Sequence, residues 1–562
     1  MRMPMRTTRR PKPKRAKRWA VVDIEAPKWS QFALGVMIDD QGEVSHFDTL
    51  DGYCRGVADF DGRVFAHNGG NYDFLFLNQL QDVSLSGPRA VRARHGKAHL
   101  SDSFPLFPMS LKALGQAVGV LKQELAYEDL EPLLATPEGR EKVFAYCEQD
   151  CRVLRAGILS HQRFCEQVPH PEPRWPGTAG STAVYCAEAW EPEAVAELKR
   201  HTLDLHSYDS HRSAVIGGRC EAWQLGPVEG PIYCYDVKSS YPARYFEGPM
   251  PVGPYVRTSH ERVGQQGVYW CRFTQDPSRI PLLSAEGVFC HSGEGWLTSE
   301  EMAAAREEGF RLEVLHGFVS LVSIPFGMRF ATELYRLKEA GEPFAKVCLN
   351  ALHGKLGEQL IHDTYRTTKG DHRSFWRNSE LALPAWHQRP LMEAFILARA
   401  RIALWRQMDA LHRAGHRVLY TDTDSIHTTA DESAFRRCGG VLGKSPGQWE
   451  VKAVATRAIY LARKAYALET PDAKDKSGAP LPHQFALKGF PSLLHSWELF
   501  ERAWERSFSG DSPHVVDCSA GILSFRQGVP GSPEAKTLHR TLSAQVGPAK
   551  RRLTGDRVWY TH

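Results

Sequence analysis

The stretch Arg417–Thr428, RVLYTDTDSIHT, decides how this chain is read. Apolar residues flank Thr421-Asp422-Thr423-Asp424-Ser425, so the segment reads as two short strands around a tight acidic turn. Asp422 and Asp424 stand two apart, on one face of the tip. A merely polar turn has no need of those apolar flanks. Upstream, the strand-like run Pro231–Val237 enters Tyr235-Asp236-Val237-Lys238-Ser239-Ser240-Tyr241-Pro242, which again sets an acid at a strand end before a turn. Asp236 beside Asp422 would form a dicarboxylate site of the kind that suits Mg²⁺ or Mn²⁺. Between the two segments lies Lys346-Val-Cys-Leu-Asn350-Ala-Leu-His353-Gly354, in a stretch expected to be helical over 330–357. Lys346, Asn350 and Gly354 recur at i, i+4 and i+8 along one side of such a helix. A cation, an amide and a bare backbone position there suit a triphosphate and a base pair; taken alone, the stripe is equally a solvated helix face.

Three more acidic segments lie nearer the start. Trp19–Glu25, WAVVDIE, reads as a buried strand with Asp23 and Glu25 on one face. Asn68-Gly-Gly-Asn-Tyr72-Asp73 follows the strand-like RVFAH, and Tyr146-x-x-x-Asp150 lies in a helical stretch, where i and i+4 share a face. Together they could hold two cations ~3.5–4 Å apart, activating water for phosphodiester hydrolysis. Singly each is weak: an Asp-x-Glu is most often a solvated strand end, and a Tyr-x-x-x-Asp a surface pair. Their order along the chain carries the reading.

At 562 residues, with 42% hydrophobic and 24% charged, the composition is that of a soluble globular protein of several units. It excludes collagen-like, fully disordered and small disulfide-rich classes. No uninterrupted apolar run reaches the ~18 residues of a membrane span, and no secretory signal is indicated, so a cytoplasmic setting is expected, that of the host cell if the chain is viral. The twelve cysteines form no CxxC pair, which favours reduced, mostly buried thiols over a zinc ribbon. Residues 1–18 carry nine Lys/Arg and no acid; removing them turns the formal net charge from +5 to −4. The basic balance belongs to this probable disordered tail, which could hold phosphate backbones or have no role. The Pro/Gly-rich 166–180 reads as a domain boundary.

These segments, in this order, resemble family B DNA polymerases, and within them the protein-primed group of bacteriophages, other viruses and linear plasmids. The Asp-x-Glu, Asn68–Asp73 and Tyr146–Asp150 segments match that family's three proofreading exonuclease motifs; YDVKSSYP, KVCLNALHGK and YTDTDS match polymerase motifs A, B and C. Lys464-Ala-Tyr466 matches the KxY motif, and Val215-Ile-Gly217-Gly218 stands where the YxGG motif should fall. The resemblance implies an α/β and α+β multidomain fold: an RNase H-like 3′–5′ exonuclease domain (19–180) followed by a right-hand polymerase domain (181–562). Within the latter it implies a palm at 205–250 and 393–460, an insertion at 251–325, fingers at 326–356, a second insertion at 357–392 and a thumb at about 490–562.

It also implies roles. Asp236, Asp422 and the Val237 carbonyl would hold two polymerase Mg²⁺ (or Mn²⁺) ions, with Asp424 in support. Tyr241 would stack under the incoming sugar and fill the space of a 2′-hydroxyl, the group that separates RNA from DNA. Lys338 and Lys346 would neutralise the triphosphate, and Asn350 and Gly354 would flank the nascent base pair. Gly217, Gly218, Lys464, Tyr466 and Lys488 would contact DNA. In the exonuclease, Asp23, Glu25, Asp73 and Asp150 would hold two metals, Tyr146 would orient the water, and Asn68 and Ser103 would contact single-stranded DNA. The expected partners are primer-template DNA, dNTPs and a separate terminal protein acting as primer. No membrane partner is expected, and the chain is expected to be a monomer.

Four departures stand out: Ala351 and His353 replace the Ser and Tyr of motif B, Val215 replaces the YxGG tyrosine, and Lys238 replaces a small polar residue. The family's catalytic exonuclease lysine has no clear counterpart, although Lys142 is nearby. The long gaps from 242 to 346 and from 354 to 420 favour the protein-primed branch, whose insertions fall there. A primer-using or self-priming enzyme of a mobile element, and an inactive DNA-binding descendant, are the alternatives.

Overall fold

The strand Trp19–Glu25 is buried on nearly its whole length because neighbours pair with it on both sides and helices cover the sheet. A strand with so few polar residues fits only such a central place. The computed structural model describes residues 18–507 except 28–30, 78–79, 87–88, 359, 369–370, 382, 475–477 and 489–494, plus the backbone of 514–518, 538–542, 551–554 and 557–560. Residues 1–17, and most of the region expected as a thumb, lie outside the described residues.

Trp19–Glu25 pairs parallel with Arg63–Ala66 and antiparallel with Leu34–Asp39 in a nine-stranded mixed sheet. Helix Pro137–Gln167 lies against this sheet. It starts at Thr136, whose hydroxyl accepts the Gly139 N–H at 3.1 Å, with Pro137 at the first position, where its missing N–H costs nothing. Val143, Cys147, Cys151, Leu154 and Ile158 form its buried stripe at i and i+4 spacings, and Asp150 is buried beside them.

The second large sheet has seven antiparallel strands. At its centre Gly226–Val237 lies between Trp449–Ala462 and the hairpin Val418–Asp422/Ser425–Thr428. The two strands around an acidic turn are therefore present. Helix Pro390–Arg413 is apolar on almost every side and carries buried Arg399, Arg401 and Asp409. These are paired with Glu300 (2.6 Å), Glu301 (2.7 Å) and Arg279 (2.6 Å). All three partners belong to the segment 251–325, which folds as a four-stranded sheet with helix Ser299–Glu307. Breaking one such buried pair by removing a single partner costs about 3–5 kcal/mol, so this segment is clamped rather than appended.

The single helical run expected over 330–357 is two helices, Met328–Glu339 and Ala345–Leu356. Gly341 takes a left-handed φ of 89° after the first, and Pro343 supplies no N–H for a continuing helix. The boundary at 166–180 is a linker in the chain but not in the core. One apolar cluster runs from helix Pro137–Gln167 through helix Ala179–Trp190 to both of these helices. Trp175, inside the linker, packs on Phe65 and Trp19 with ring centroids 5.3 and 6.0 Å apart.

The segment expected as a second insertion forms the hairpin Ile361–Thr368/Asp371–Leu381. Its backbone pairs with Gln81–Ser86, Thr364 opposite Ser84, and so adds two strands to the edge of the first sheet. The eleven described cysteines form no disulfide, and nine of them are buried. No described helix is long and apolar enough to cross a membrane.

Candidate active sites

Two carboxylate clusters take shape, one at the end of each large sheet. In the first, Asp23 and Glu25 project from the same face of their strand. Their carboxylate oxygens and the Cys147 thiol lie within 4.8 Å of one another, and Cys147 Sγ donates to Asp23 Oδ2 at 3.4 Å. Asp73 reaches the cluster from the turn after Arg63–Ala66. That turn is tight: Asn68 takes a φ of 64°, which Asn tolerates, and a Cβ on Gly70 would fall 1.8 Å from the Ala90 carbonyl oxygen. Gly70 is thus required by backbone contact, and Gly69 by the Ala66 Cβ, 2.4 Å from where its own would lie. Tyr146 and Asp150 meet across one helical turn, as their spacing implies.

The residue that joins them was not legible in the sequence. Lys122 Nζ donates to the Tyr146 hydroxyl at 2.8 Å and forms an ion pair with Asp150. It lies 24 positions before Tyr146 in an irregular segment after helix Leu111–Val118, where no periodicity points to it. Lys142, the nearby candidate, is exposed. Ser103, expected as a DNA contact, is fully buried; its hydroxyl donates to the Ala66 carbonyl at 3.2 Å and lies 3.0 Å from His67 Nδ1. Committed there, it fixes the turn bearing Asn68 instead of touching a strand.

In the second cluster, Ser425 pairs with Asp236 across neighbouring strands and Asp422 pairs with Ser425. The Val237 N–H donates to the Asp424 carbonyl at 2.8 Å, which ties motif A to the acidic turn. A cavity of about 630 Å³ opens here, lined by Asp236, Val237, Tyr241, Asp422 and Asp424 on one side and by Lys338, Lys346 and Asn350 on the other. Lys464 and Tyr466 complete it, with Lys464 Nζ paired to Asp422. The structure therefore gathers residues spread from 236 to 466.

Three expected contacts stand apart. Gly354 does not line the cavity, although a Cβ there would meet nothing within 4 Å. Lys488 has an exposed side chain, and its main-chain N–H donates to the Lys464 carbonyl at 3.0 Å. Gly217 faces open space, whereas a Cβ on Gly218 would sit 3.0 Å from the Tyr241 hydroxyl, so glycine lets that loop touch the site. The departures also find places. The His353 ring packs on Tyr241 with centroids 4.2 Å apart. Burial pushes His353 down to about 4, so it is neutral at pH 7. Lys238 is paired with Glu450 at 2.8 Å.

The charge balance identifies what both clusters can hold. Burial, with Asp150 adding, pushes Glu25 up to about 8, and burial with other acids raises Asp23 strongly. Burial dominates at Asp73, raised to about 7, where Asp102 and Asp150 also oppose ionisation. Asp424 is likewise raised to about 7 by burial, then by Asp236 and Asp422. Asp73 Oδ1 and Asp150 Oδ1 are buried without a hydrogen-bond partner. Oxygen-rich, charge-frustrated sites of this kind fit hard divalent cations.

The family model for DNA polymerase type B, organellar and viral, matches residues 120–380. Similar curated proteins include the DNA polymerase of Kluyveromyces lactis, 24% identical over 307 residues (46% of this chain, 30% of that protein). The DNA-directed DNA polymerase of Enterobacteria phage PRD1 is 27% identical over 182 residues (32% of this chain, 29% of that protein). Across these matches the chain is similar to type B DNA polymerases of organellar and viral type. The DNA polymerase of Bacillus phage phi29 is 24% identical over 402 residues, 65% of this chain and 66% of that one. The match thus spans about three tenths of the first two relatives and about two thirds of the third. The phi29 polymerase solved with single-stranded DNA shares the fold of this chain, with a TM-score of 0.74 at 18% identity over 94% of this chain and all of that one.

Raised carboxylates make metal-free stability fall with pH. Between about pH 4.5 and 8 the folded chain keeps a proton on Glu25 that the unfolded chain has lost, so each upward step destabilises the fold. Thermal midpoints in EDTA are expected to drop between about pH 5 and 8, and Mg²⁺ to raise the midpoint more at the upper end. Lys122→Met removes the cation that lowers Asp150 and Glu25. It is expected to raise both carboxyls further and so to steepen the fall of the EDTA thermal midpoint with pH.

Proposed function

We propose that the chain is a DNA-directed DNA polymerase with a 3′→5′ proofreading exonuclease, replicating a viral or plasmid DNA from a protein primer. The observation that carries this reading is the 630 Å³ cavity, where paired carboxylates face two lysines and an amide across a space suited to a nucleoside triphosphate.

Asp236, Asp422 and the Val237 carbonyl would hold two divalent ions, and Asp23, Glu25, Asp73 and Asp150 two more. Bound there, such ions stabilise the attacking and leaving oxygens of an in-line displacement at phosphorus. The chain's own groups do the rest. Lys338 and Lys346 offset the triphosphate charge; burial, and then Lys346 and Lys238, already lower the Lys338 pKa, as expected of cations gathered without an anion. Tyr241, braced by His353, offers a ring against the sugar and no room for a 2′-hydroxyl. Lys464 and Tyr466 flank the place of the primer end, whose 3′-oxygen attacks the α-phosphate as pyrophosphate leaves. In the exonuclease, Tyr146 and Lys122 together orient the attacking water. Solved relatives bound to primer-template DNA and incoming nucleotides support the substrate assignment.

Asp422→Asn is expected to abolish primer extension and spare degradation, and Asp23→Ala to do the reverse on the same labelled primer. Equal loss of both activities in either variant rules out two separate sites. Protein priming is read by transfer of one labelled dNMP onto a Ser, Thr or Tyr hydroxyl of a candidate terminal protein. Extension of DNA primers without any such transfer points instead to a primer-using enzyme of a mobile element.

A further inference from the structure

A second cavity, of about 560 Å³, opens on the exonuclease sheet away from both carboxylate clusters. Arg94 on one strand stands opposite His99 on the next, and His99 opposite Arg63 on the third; one pair along, Arg92 stands opposite Ser101. Arg18 lies at the mouth, and Asp61 and Asp82 are the acids of the lining. Arg63 and Arg94 thus stand two strands apart on one face, with His99 between them, and Arg92 two residues further along. Arg18 is answered by Asp39 at 2.7 Å, and Arg94 only by Asp82 at 4.0 Å. Arg63 and Arg92 have no ion pair or side-chain hydrogen bond among the described residues. Burial and Arg92 together lower the Arg63 guanidinium pKa. Arg63 is nevertheless held in place, over the rings of Trp175 (5.4 Å) and Phe65 (5.6 Å). Gly177 of the linker closes over it: a Cβ there would lie 3.6 Å from both Arg63 Nη1 and Arg92 Nη2.

We propose that this cleft holds a single strand of nucleic acid by its phosphates, outside both catalytic sites. The separation follows from the sheet. Arg63 pairs with Trp19, whereas Asp23 and Glu25 stand towards the other end of that strand, about 13 and 20 Å away at about 3.3 Å per residue. A cleft of about 560 Å³ is filled by a short length of one strand. Guanidinium groups are the preferred partners of phosphate oxygens. In sequence the cleft is entered at Arg18, immediately after residues 1–17, which hold eight Lys/Arg and no acid. The proposal rests on the polymerase reading only for the identity of the anion as DNA.

The test is the salt dependence of binding of a labelled oligothymidylate, read by fluorescence anisotropy in EDTA so that nothing is degraded. Arg92→Gln/Arg94→Gln alters two exposed side chains and spares the packing that Arg63→Gln could disturb. Each lost phosphate contact should make the slope of log K against log[salt] shallower by about 0.7, or about 1.4 for the pair. Binding near physiological salt should weaken about tenfold, while extension on a short primed template is unchanged. Asp61→Lys should steepen the slope. Unchanged slopes with unchanged thermal midpoints overturn the proposal, as does loss of dAMP binding in the pair variant without any effect on the oligonucleotide. A wild-type chain that binds as expected but never extends a primer would instead overturn the polymerase reading and leave the cleft standing.

Discussion

Mutual repulsion among buried carboxylates is the constraint on which the rest of this structure depends. Asp23, Glu25, Asp73 and Asp150 converge from a strand, a turn and a helix, and Asp236, Asp422 and Asp424 from the two strands that flank Ser425–Thr428 and the hairpin turn before it. Left to themselves such groups would separate or stay protonated. They are held by elements whose other faces are committed elsewhere. Trp19–Glu25 is locked between two strands, helix Pro137–Gln167 buries a stripe of thiols and aliphatic side chains, and helix Pro390–Arg413 is pinned by three buried ion pairs. The stability given up at the sites resides in these cores.

Lys122 and Lys464 limit the cost. Each brings a cation to its cluster, on Asp150 and on Asp422. Lys464 is placed by backbone: it sits at φ 58° in a hairpin, and its N–H donates to the Tyr420 hydroxyl at 2.8 Å. A lysine so placed can answer an acid while its position remains set by the main chain. The Tyr241–His353 contact works by packing instead. A neutral, half-buried ring supports another ring, so the wall that Tyr241 presents to the cavity does not depend on a single residue.

What could be read from the sequence was what strand and helix periodicity carry. The i, i+2 pairing of Asp23 with Glu25, the i, i+4 pairing of Tyr146 with Asp150 and the hairpin around Asp422 each rest on local geometry, and the order of the motifs led to the family and to the mixed α/β fold. The break at Gly341–Pro343 was legible in kind, since both residues interrupt helices, but the apolar pattern continues across it. Lys122 was not legible, because an irregular segment reaches its partner through tertiary packing, and nothing in the spacing reports that. Ser103 was misread for the same reason: a hydroxyl's partner is set by which strand end lies behind it. The cationic cleft is likewise a product of strand register, which brings Arg63, His99 and Arg94 into one row from three separate stretches.

The hairpin Ile361–Leu381 has one further bearing. It leaves the polymerase half of the chain and completes the sheet of the exonuclease half, Tyr365 opposite Val83. The two halves therefore share hydrogen bonds as well as a linker. A truncation that discards the first 180 residues would uncover a ribbon of unpaired amide groups, an invitation to self-association that isolated strand edges commonly extend. The first sheet is thus built into the solubility of the rest of the chain, and evolutionary loss of that sheet would have to be accompanied by loss of the hairpin.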